Sequence, residues 1–320
     1  MTRIDIPQSE WKIRAGSKVL LVGSCFADEI GTRMVRGGFE AMVNPFGTLY
    51  NPASIAANLL RALSEKEVEL PRSSVNPSVE ASLSTSSMSV DRCRRCRSTD
   101  VDHFVFEDAE GCWHSWMHHS SFSSTDAATV VERINGTTHR VADFLREADA
   151  LIVTLGTAII YRLKETGMLV ANCHKQHDSL FVRERMSVYD VVDQWKMLLQ
   201  LLESVNPKLK VVFTVSPIRH KRDGYHVNQI SKGILLQAAD EIVNGTLSNC
   251  TYFPSYEIMM DELRDYRFYA DDMIHPSQQA VEYIWQRFQD TYMDNKTKDE
   301  VTKATKEWRQ SQHRQIVNSK

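Results

Sequence analysis

Two short stretches near opposite ends of the 320-residue chain carry side chains that could cooperate in catalysis. Ser24 follows a run of four apolar residues and Gly23, and a helical pattern begins directly after it. Asp272 and His275 lie three residues apart, before Pro276. A serine hydroxyl needs a base to accept its proton and a group to orient that base. The two stretches therefore predict nucleophilic catalysis by Ser24, with His275 as the base and Asp272 as its orienting group.

Each stretch also has a purely structural interpretation. A serine between a strand and a helix is a common helix N-cap. An aspartate shortly before a histidine can cap a turn. The catalytic interpretation is favoured only because the two stretches occur together and could meet in the fold.

The elements that would bring them together alternate along the chain. Strands are expected at 19–22, 39–43, 104–106, 151–155, 210–215 and 251–253. Helices are expected from Phe26 to Arg36, from Ile55 to Leu63, at 126–148 with an interruption near Gly136, and at 188–206, 227–243, 257–264 and from Ser277 onward. Residues 168–182 have no clear period and are expected to be irregular.

This alternation predicts a parallel sheet with helices on both faces. The carboxyl ends of parallel strands meet at one edge, which is where ligands bind in such sheets. Four polar segments follow predicted strands: Ser24, 44–47, 156–158 and 216–220. We expect them to line one rim of the sheet.

The composition is that of a globular protein, with 42% apolar and 25% charged residues and a formal charge of −3. We expect one domain over 1–294 with a flexible insertion at about 71–102, followed by a charged tail, solvated or frayed, at 295–320. The near-neutral charge and the lack of a long apolar run predict neither a nucleic-acid nor a membrane partner. The polar start and scattered cysteines predict a cytoplasmic location.

The pair Cys93 and Cys96, with Cys112 and His114 further on, could form a zinc knuckle. The spacing of the second pair does not match common zinc modules, so ordinary loop cysteines are favoured, and we expect no metal or cofactor. The stretch from Trp113 to Ser124 concentrates Trp, His and Ser. It could be a packed aromatic loop or one wall of a substrate cleft.

Several motifs of the chain resemble those of the GSCFA family, named after the sequence at residues 23–27. The resemblance covers most of the chain outside 71–102 and the tail; its other motifs lie at 44–48, 119–123, 154–158, 172–175, 214–219 and 272–276. The family looks like a branch of the SGNH/GDSL hydrolases. The resemblance implies a three-layer α/β/α, flavodoxin-like fold and ester hydrolysis. It also implies that Ser24, His275 and Asp272 form a triad, with the backbone N–H groups of Ser24 and Gly47 as oxyanion donors.

One position departs from the SGNH pattern. Those enzymes have an asparagine two residues after the glycine of their third motif, whereas this chain has Ala158 there. Losing one oxyanion donor costs about 3 kcal/mol of transition-state stabilisation, so another group should replace it. Asn172 is the candidate replacement, although a structural role for it is equally consistent with the sequence.

These observations predict a serine esterase of SGNH type that acts on a small-molecule or carbohydrate ester, for example by deacetylating a carbohydrate. Candidate substrate-binding residues are His119, His174, Arg219 and His220, although Arg219 and His220 also fit a solvated basic loop. Two alternatives stay open: a carbohydrate O-acyltransferase with the same site, and a non-catalytic module that binds a ligand in the cleft.

Overall fold

Five parallel strands form the centre of the computed structural model, which describes residues 3–64, 66–69, 104–245 and 249–318. Helices and two smaller antiparallel sheets surround them. In chain order the elements are β1 (Lys18–Gly23), α1 (Cys25–Arg36), β2 (Glu40–Val43), α2 (Pro52–Leu63), β3 (Val105–Glu107), β4 (Trp113–Ser115), α3 (Ala127–Glu147), β5 (Ala150–Leu155), β6 (Ile159–Leu163), β7 (Leu169–Val170), β8 (Phe181–Arg185), α4 (Val188–Val205), β9 (Lys210–Val215), α5 (Tyr225–Gly245), β10 (Cys250–Tyr252), α6 (Ser255–Glu257), α7 (Gln278–Tyr292) and α8 (Asn295–Asn318).

The central sheet has the strand order β10-β9-β5-β1-β2, so the first strand lies inside the sheet. Counted along the chain within this sheet alone, the order is 2-1-3-4-5 from the β2 edge, which is flavodoxin-like. All its pairings are parallel, and residues 19–22 of β1 are almost completely buried. The segments after β1, β2, β5 and β9 therefore meet at one edge, as the sequence predicts.

Helices cover the two faces of this sheet in separate layers. α1 and α7 pack on one face with Val19 and Leu21 of β1. α2, α4 and α5 pack on the other face with Leu20 and Val22. Successive side chains of a strand point to opposite faces, so the apolar run of β1 fills both cores. The predicted three-layer α/β/α sandwich is confirmed.

The strongest helical pattern of the sequence is confirmed in α4. The Ser187 hydroxyl accepts from the Asp190 N–H at 3.1 Å, and the Asp190 carboxylate accepts from the Ser187 N–H at 3.0 Å. This reciprocal pair is a capping box, which satisfies two N–H groups at the helix start. The apolar face buries Trp195 completely against Phe213.

Two local predictions are wrong. α3 runs through Gly136 without interruption. The stretch at 168–182 is not wholly irregular, because β7 and β8 pair antiparallel with the two sides of β6. β8 exposes most of its residues and carries three charged side chains, so it lacks the apolar alternation that identifies a half-buried strand.

The charged tail forms α8, whose first turns pack on the domain. Val301 is buried with the α1 face, and the guanidinium of Arg36 lies 4.4 Å from the ring centre of Trp308. The insertion at about 71–102, with Cys93 and Cys96, lies wholly outside the described residues. Within the part of the chain that the structure describes, we find no helix with the length and apolar character to cross a bilayer.

The turn after β1 depends on Gly23, which has φ +137° and lies against the backbone of Thr154. A Cβ at this position would overlap the Thr154 carbonyl oxygen. We expect Gly23→Ala to lower the free energy of unfolding by about 3 kcal/mol or more, through backbone strain and a clash with a fixed carbonyl. Denaturant unfolding monitored by circular dichroism measures this loss.

Gly167→Ala is the matched control. Gly167 also has a positive φ, +72°, but a Cβ there would have no atom within 4 Å. Gly167→Ala should lower the free energy of unfolding by only about 1 kcal/mol, because it meets the left-handed backbone conformation but no clash. Equal losses in the two variants would contradict a special role for the contact between Gly23 and Thr154.

Candidate active site

The turn between β1 and α1 is closed by backbone hydrogen bonds on both sides. The Gly23 N–H donates to the Asn44 side-chain oxygen at 2.8 Å, which ties the turn to the loop after β2. The Ser24 N–H donates to the Thr154 carbonyl at 3.1 Å, which ties it to β5. These contacts fix the direction in which the next residues leave the sheet.

Ser24 is the N-cap of α1. Its hydroxyl accepts from the Phe26 N–H at 3.3 Å, and the residue is only 1% exposed. No hydrogen bond among the described residues joins the Ser24 hydroxyl to His275. In this structure the predicted nucleophile therefore caps the helix.

Asp272 and His275 form the hydrogen-bonded pair that their spacing predicts. The His275 Nδ1–H donates to Asp272 Oδ2 at 2.6 Å. The other carboxylate oxygen accepts from the N–H groups of Ile274 and His275 at 2.9 and 3.0 Å. These bonds, with the His275 backbone N–H first, lower the pKa of Asp272 to about 2. The carboxylate therefore stays charged and leaves the His275 Nε2 free to accept a proton.

The side chain that meets this Nε2 is Cys25. Its Sγ lies 3.6 Å from His275 Nε2, within hydrogen-bond reach for sulfur. Burial, with Asp28 adding to it, raises the pKa of the Cys25 thiol to about 11. The thiol is therefore protonated at neutral pH and can donate its S–H to Nε2. Sequence reasoning missed Cys25 because it placed the nucleophile at the residue directly after the glycine.

The backbone groups expected to bind an oxyanion are already engaged. The Ser24 N–H is bonded to Thr154, and the Gly47 N–H donates to the Asn44 carbonyl at 2.8 Å. The turns use these N–H groups to close themselves, and the assignment of both groups as oxyanion donors stays a prediction. The Cys25 N–H lies at the first position of α1, where no intrahelical acceptor exists. No acceptor from another segment is found for it within the described ranges.

Asn172, the expected replacement donor, is held elsewhere. Its backbone N–H donates to the Trp116 carbonyl at 3.1 Å, and its side-chain oxygen accepts from the His174 N–H at 2.9 Å. No contact among the described residues joins it to the β1–α1 turn or to His275. The role expected of Asn172 therefore has no support in these contacts.

His220 has an unsatisfied ring nitrogen on the same rim. Its Nε2 is buried without a hydrogen-bond partner, and it would lie 3.2 Å from a Cβ at Gly156. The ring packs edge-on against Tyr50, with centres 5.3 Å apart. Burial, and then the charge of Lys232, lowers the pKa of His220 to about 4. A neutral imidazole thus lies beside the loop at 156–158, where the side chain of Ala158 offers no hydrogen-bond donor.

Two other predicted substrate-binding histidines differ in their surroundings. The side chain of His119 is exposed, and its Cβ packs directly over Gly47. A Cβ added at Gly47 would overlap the His119 Cβ. His174 is partly buried, and its Nε2 donates to the Ser115 carbonyl at 2.8 Å. His119 uses Nδ1 to accept from the Ser121 N–H at 3.2 Å but remains exposed to a ligand, whereas His174 is bound into the fold.

Arg219 connects two loops of the rim. Its backbone N–H donates to the Ile274 carbonyl at 3.4 Å, next to His275. Its guanidinium lies 5.7 Å from the ring centre of Tyr269 and donates to the Met260 sulfur at 3.6 Å. Arg219 therefore helps to position the loop that carries the base.

The aromatic stretch after β3 is mostly packed inside the protein. Trp116 stacks on Phe106 with ring centres 3.6 Å apart, and His118 is fully buried. Both ring nitrogens of His114 are engaged, with Asp108 at 2.8 Å and Ser123 at 2.7 Å. The interpretation as a packed aromatic loop describes these residues better than a cleft wall does.

His114 is thus committed to hydrogen bonds within the protein, as is Cys112, whose Sγ donates to the Ser124 carbonyl at 3.6 Å. Among the residues that the structure describes, no group of three or more His, Cys, Asp or Glu side chains could hold a metal ion. The other half of the hypothetical zinc knuckle, Cys93 and Cys96, falls in the part of the chain left undescribed.

Lys232 is a second feature that sequence reasoning missed. It lies on α5, is 1% exposed, and donates to the carbonyls of Gly156 at 2.7 Å and Ser216 at 2.6 Å. It therefore joins the loops after β5 and β9. Burial lowers its pKa to about 7, and a neutral amine still has an N–H for each carbonyl. The sequence gives no sign that Lys232 is buried, because a lysine in a helix is usually an exposed residue.

The parallel sheet carries a histidine–carboxylate pair and the serine and cysteine of the β1–α1 turn at its carboxyl edge, and its layers define an α/β/α protein. A family model agrees with this class. The GSCFA family matches residues 18–104 and 89–288, so the chain belongs to the GSCFA family. This membership suggests a hydrolase-like function, and the fold is consistent with a branch of the SGNH/GDSL-like hydrolases. A search of curated proteins finds no match to the chain.

The lowered pKa of Lys232 makes its contribution to stability dependent on pH. Its folded pKa is about 7 against 10.5 for the free side chain, so between these values only the unfolded state holds the extra proton. The free energy of unfolding therefore rises with pH in this window. We expect Lys232→Met to lack this rise, so that its deficit relative to the wild type grows between pH 7 and pH 10.

Urea unfolding at several pH values measures this difference. Lys303→Met, at an exposed position of α8, is the control and should track the wild type across the range. A constant difference between the wild type and Lys232→Met would contradict a lowered pKa for this side chain.

Proposed function

We propose that this chain is an enzyme that hydrolyses ester bonds by nucleophilic acyl transfer. The observation that carries the proposal is the hydrogen-bonded series from Asp272 through His275 to the β1–α1 turn. An imidazole fixed by a carboxylate on one side and facing a nucleophile on the other is the arrangement that acyl transfer needs. The same rim carries buried and backbone N–H groups that could bind the developing oxyanion.

The turn offers two candidate nucleophiles. The family resemblance indicates the Ser24 hydroxyl, which makes the enzyme a serine esterase of SGNH type, and the geometry favours the Cys25 thiol. In either case His275 Nε2 takes the proton of the nucleophile as the nucleophile attacks the acyl carbon. His275 then returns this proton to the leaving alcohol. Water, activated by the same imidazole, releases the acid in the second half of the reaction.

The substrate proposed is a small-molecule or carbohydrate ester, such as an acetylated sugar. A polar group at the rim supports this choice, since the exposed side chain of His119 offers a hydrogen-bond partner for a hydroxyl group. Transfer of the acyl group to a sugar hydroxyl in place of water would use the same site. The ratio of acetylated sugar to free acetate among the products separates the two reactions.

Removal of the base or its orienting group should abolish most of the activity. We expect His275→Ala and Asp272→Asn to lower kcat for p-nitrophenyl acetate by about a hundredfold or more, since positioned general bases contribute that much. Release of p-nitrophenol measures the rate. Thermal unfolding should show that both variants remain folded, because their side chains are half-exposed.

His139→Ala is the matched control for these variants. His139 is an exposed histidine that also pairs with a carboxylate, Glu67, at 2.9 Å, but on α3 and outside the rim. Its replacement should leave kcat unchanged. A wild-type protein that does not hydrolyse esters above the buffer rate would overturn the proposed function and support a non-catalytic binding module.

His220 is proposed as the side-chain donor to the oxyanion, because its buried Nε2 has no other partner. We expect His220→Phe to lower kcat by about a hundredfold, the usual cost of one oxyanion donor. His220→Gln keeps an N–H donor of similar reach and should recover part of the loss. Equal rates for the two variants, measured with p-nitrophenyl acetate, would assign His220 a packing role against Tyr50.

A further inference from the structure

We propose that Cys25, rather than Ser24, is the residue that forms the covalent acyl intermediate. This inference rests on the proposed function and deepens it, because it changes the intermediate from an oxygen ester to a thioester. Three features of the rim carry the argument: the partner of the imidazole, the direction of each side chain in the turn, and the backbone donor beside the thiol.

The first feature is the contact of the base. A nucleophile must lie within hydrogen-bond reach of the nitrogen that takes its proton. Cys25 Sγ meets this condition at 3.6 Å from His275 Nε2. The Nδ1 side of the same ring is occupied by Asp272, so Nε2 is the only ring nitrogen available. The three side chains form one hydrogen-bonded series.

The second feature is the opposite orientation of the two neighbouring side chains. Ser24 turns its hydroxyl toward the first turn of α1, where it accepts from the Phe26 N–H, and it is 1% exposed. Cys25 is only partly buried and faces the rim. For the Ser24 hydroxyl to attack a substrate, it would have to leave the Phe26 N–H, and α1 would lose this N-cap hydrogen bond. Cys25 can attack without any change in the fold.

The third feature is the backbone around the thiol. The Ser24 N–H and the Gly47 N–H are bonded within the fold, whereas the acceptor found for the Cys25 N–H among the described residues is the Cys25 sulfur itself. An N–H on the attacking residue itself is well placed to bind the oxyanion that forms on the adjacent acyl carbon. The positive end of the α1 dipole adds to this stabilisation.

Charged groups around the thiol determine which species attacks. Burial disfavours the thiolate most, Asp28 and Glu29 of α1 add to this effect, and the Cys25 backbone N–H and Lys232 of α5 oppose it more weakly. The thiol therefore remains protonated at neutral pH, and His275 must accept its proton during the attack. This dependence on a base distinguishes Cys25 from a cysteine that is already ionised.

The reaction balances without any further reactant than water. The S–H proton moves to His275 Nε2 while Sγ bonds to the acyl carbon, and the carbonyl electron pair moves onto oxygen. Return of that pair breaks the bond to the alcohol oxygen, which takes the proton from His275. Water then adds to the thioester with His275 as base. The C–S bond breaks, the acid leaves, and the proton returns to sulfur.

Substitutions in the turn separate the two nucleophiles. With p-nitrophenyl acetate as the probe, we expect Cys25→Ala to reduce turnover to the buffer rate, and the near-isosteric Cys25→Ser to lose at least about a hundredfold. Ser24→Ala should lower the melting temperature by removing the N-cap but should still turn over substrate. Cys173→Ala, at another partly buried cysteine, is the control and should match the wild type.

The outcomes distinguish this inference from the proposed function. Turnover lost in Ser24→Ala and kept in Cys25→Ala, or labelling of Ser24 by a fluorophosphonate, would overturn the inference and leave the esterase proposal in place. A wild-type protein without turnover would overturn both.

Alkylation tests the link between Cys25 and His275 without any ester. We expect iodoacetamide to alkylate Cys25 in the wild type at neutral pH, and His275→Ala to slow this reaction about a hundredfold, because the thiol loses its base. Peptide mass spectrometry gives the rate at each cysteine, so Cys112 and Cys173 serve as internal controls. Equal rates at Cys25 with and without the imidazole would overturn the inference.

Discussion

The arrangement of the rim depends on the close contact between Gly23 and the backbone of Thr154. Only glycine allows the chain to leave β1 at φ +137° and press against that carbonyl. Because the Ser24 N–H is bonded to the same carbonyl, residue 24 becomes the helix cap and residue 25 the first helical position. The turn thus determines which side chain points into the helix and which one faces the imidazole.

The residues that contact this turn come from distant parts of the chain. Contacts between α1 and α7, which pack on the same face of the sheet, hold these parts together. Arg33 of α1 contacts Gln278 and Glu282 of α7 at 3.0 and 3.3 Å. Ser277 caps α7 directly after the loop that carries His275. On the other side of the sheet, Lys232 bonds two rim loops to α5. The base and the nucleophile are therefore positioned by packed helices, which suits catalysis that depends on fixed geometry.

The sequence predicts the layers, the parallel sheet and the pair of Asp272 and His275, because periodicity and short spacing are local signals. It does not predict β8, whose exposed, charged residues lack an alternating pattern. It also singles out Ser24 and not Cys25, since the direction in which each side chain points depends on the exit angle of the chain at Gly23. The roles of Lys232 and the unsatisfied His220 nitrogen arise from tertiary contacts, which no local pattern encodes.

The central claim is that the acyl group passes through sulfur. The most direct measurement is to quench the wild-type protein with acid during turnover of p-nitrophenyl acetate and to locate the acetyl group by peptide mass spectrometry. We expect acetyl on Cys25, removed by neutral hydroxylamine as thioesters are. Acetyl on Ser24, resistant to that treatment, would contradict it.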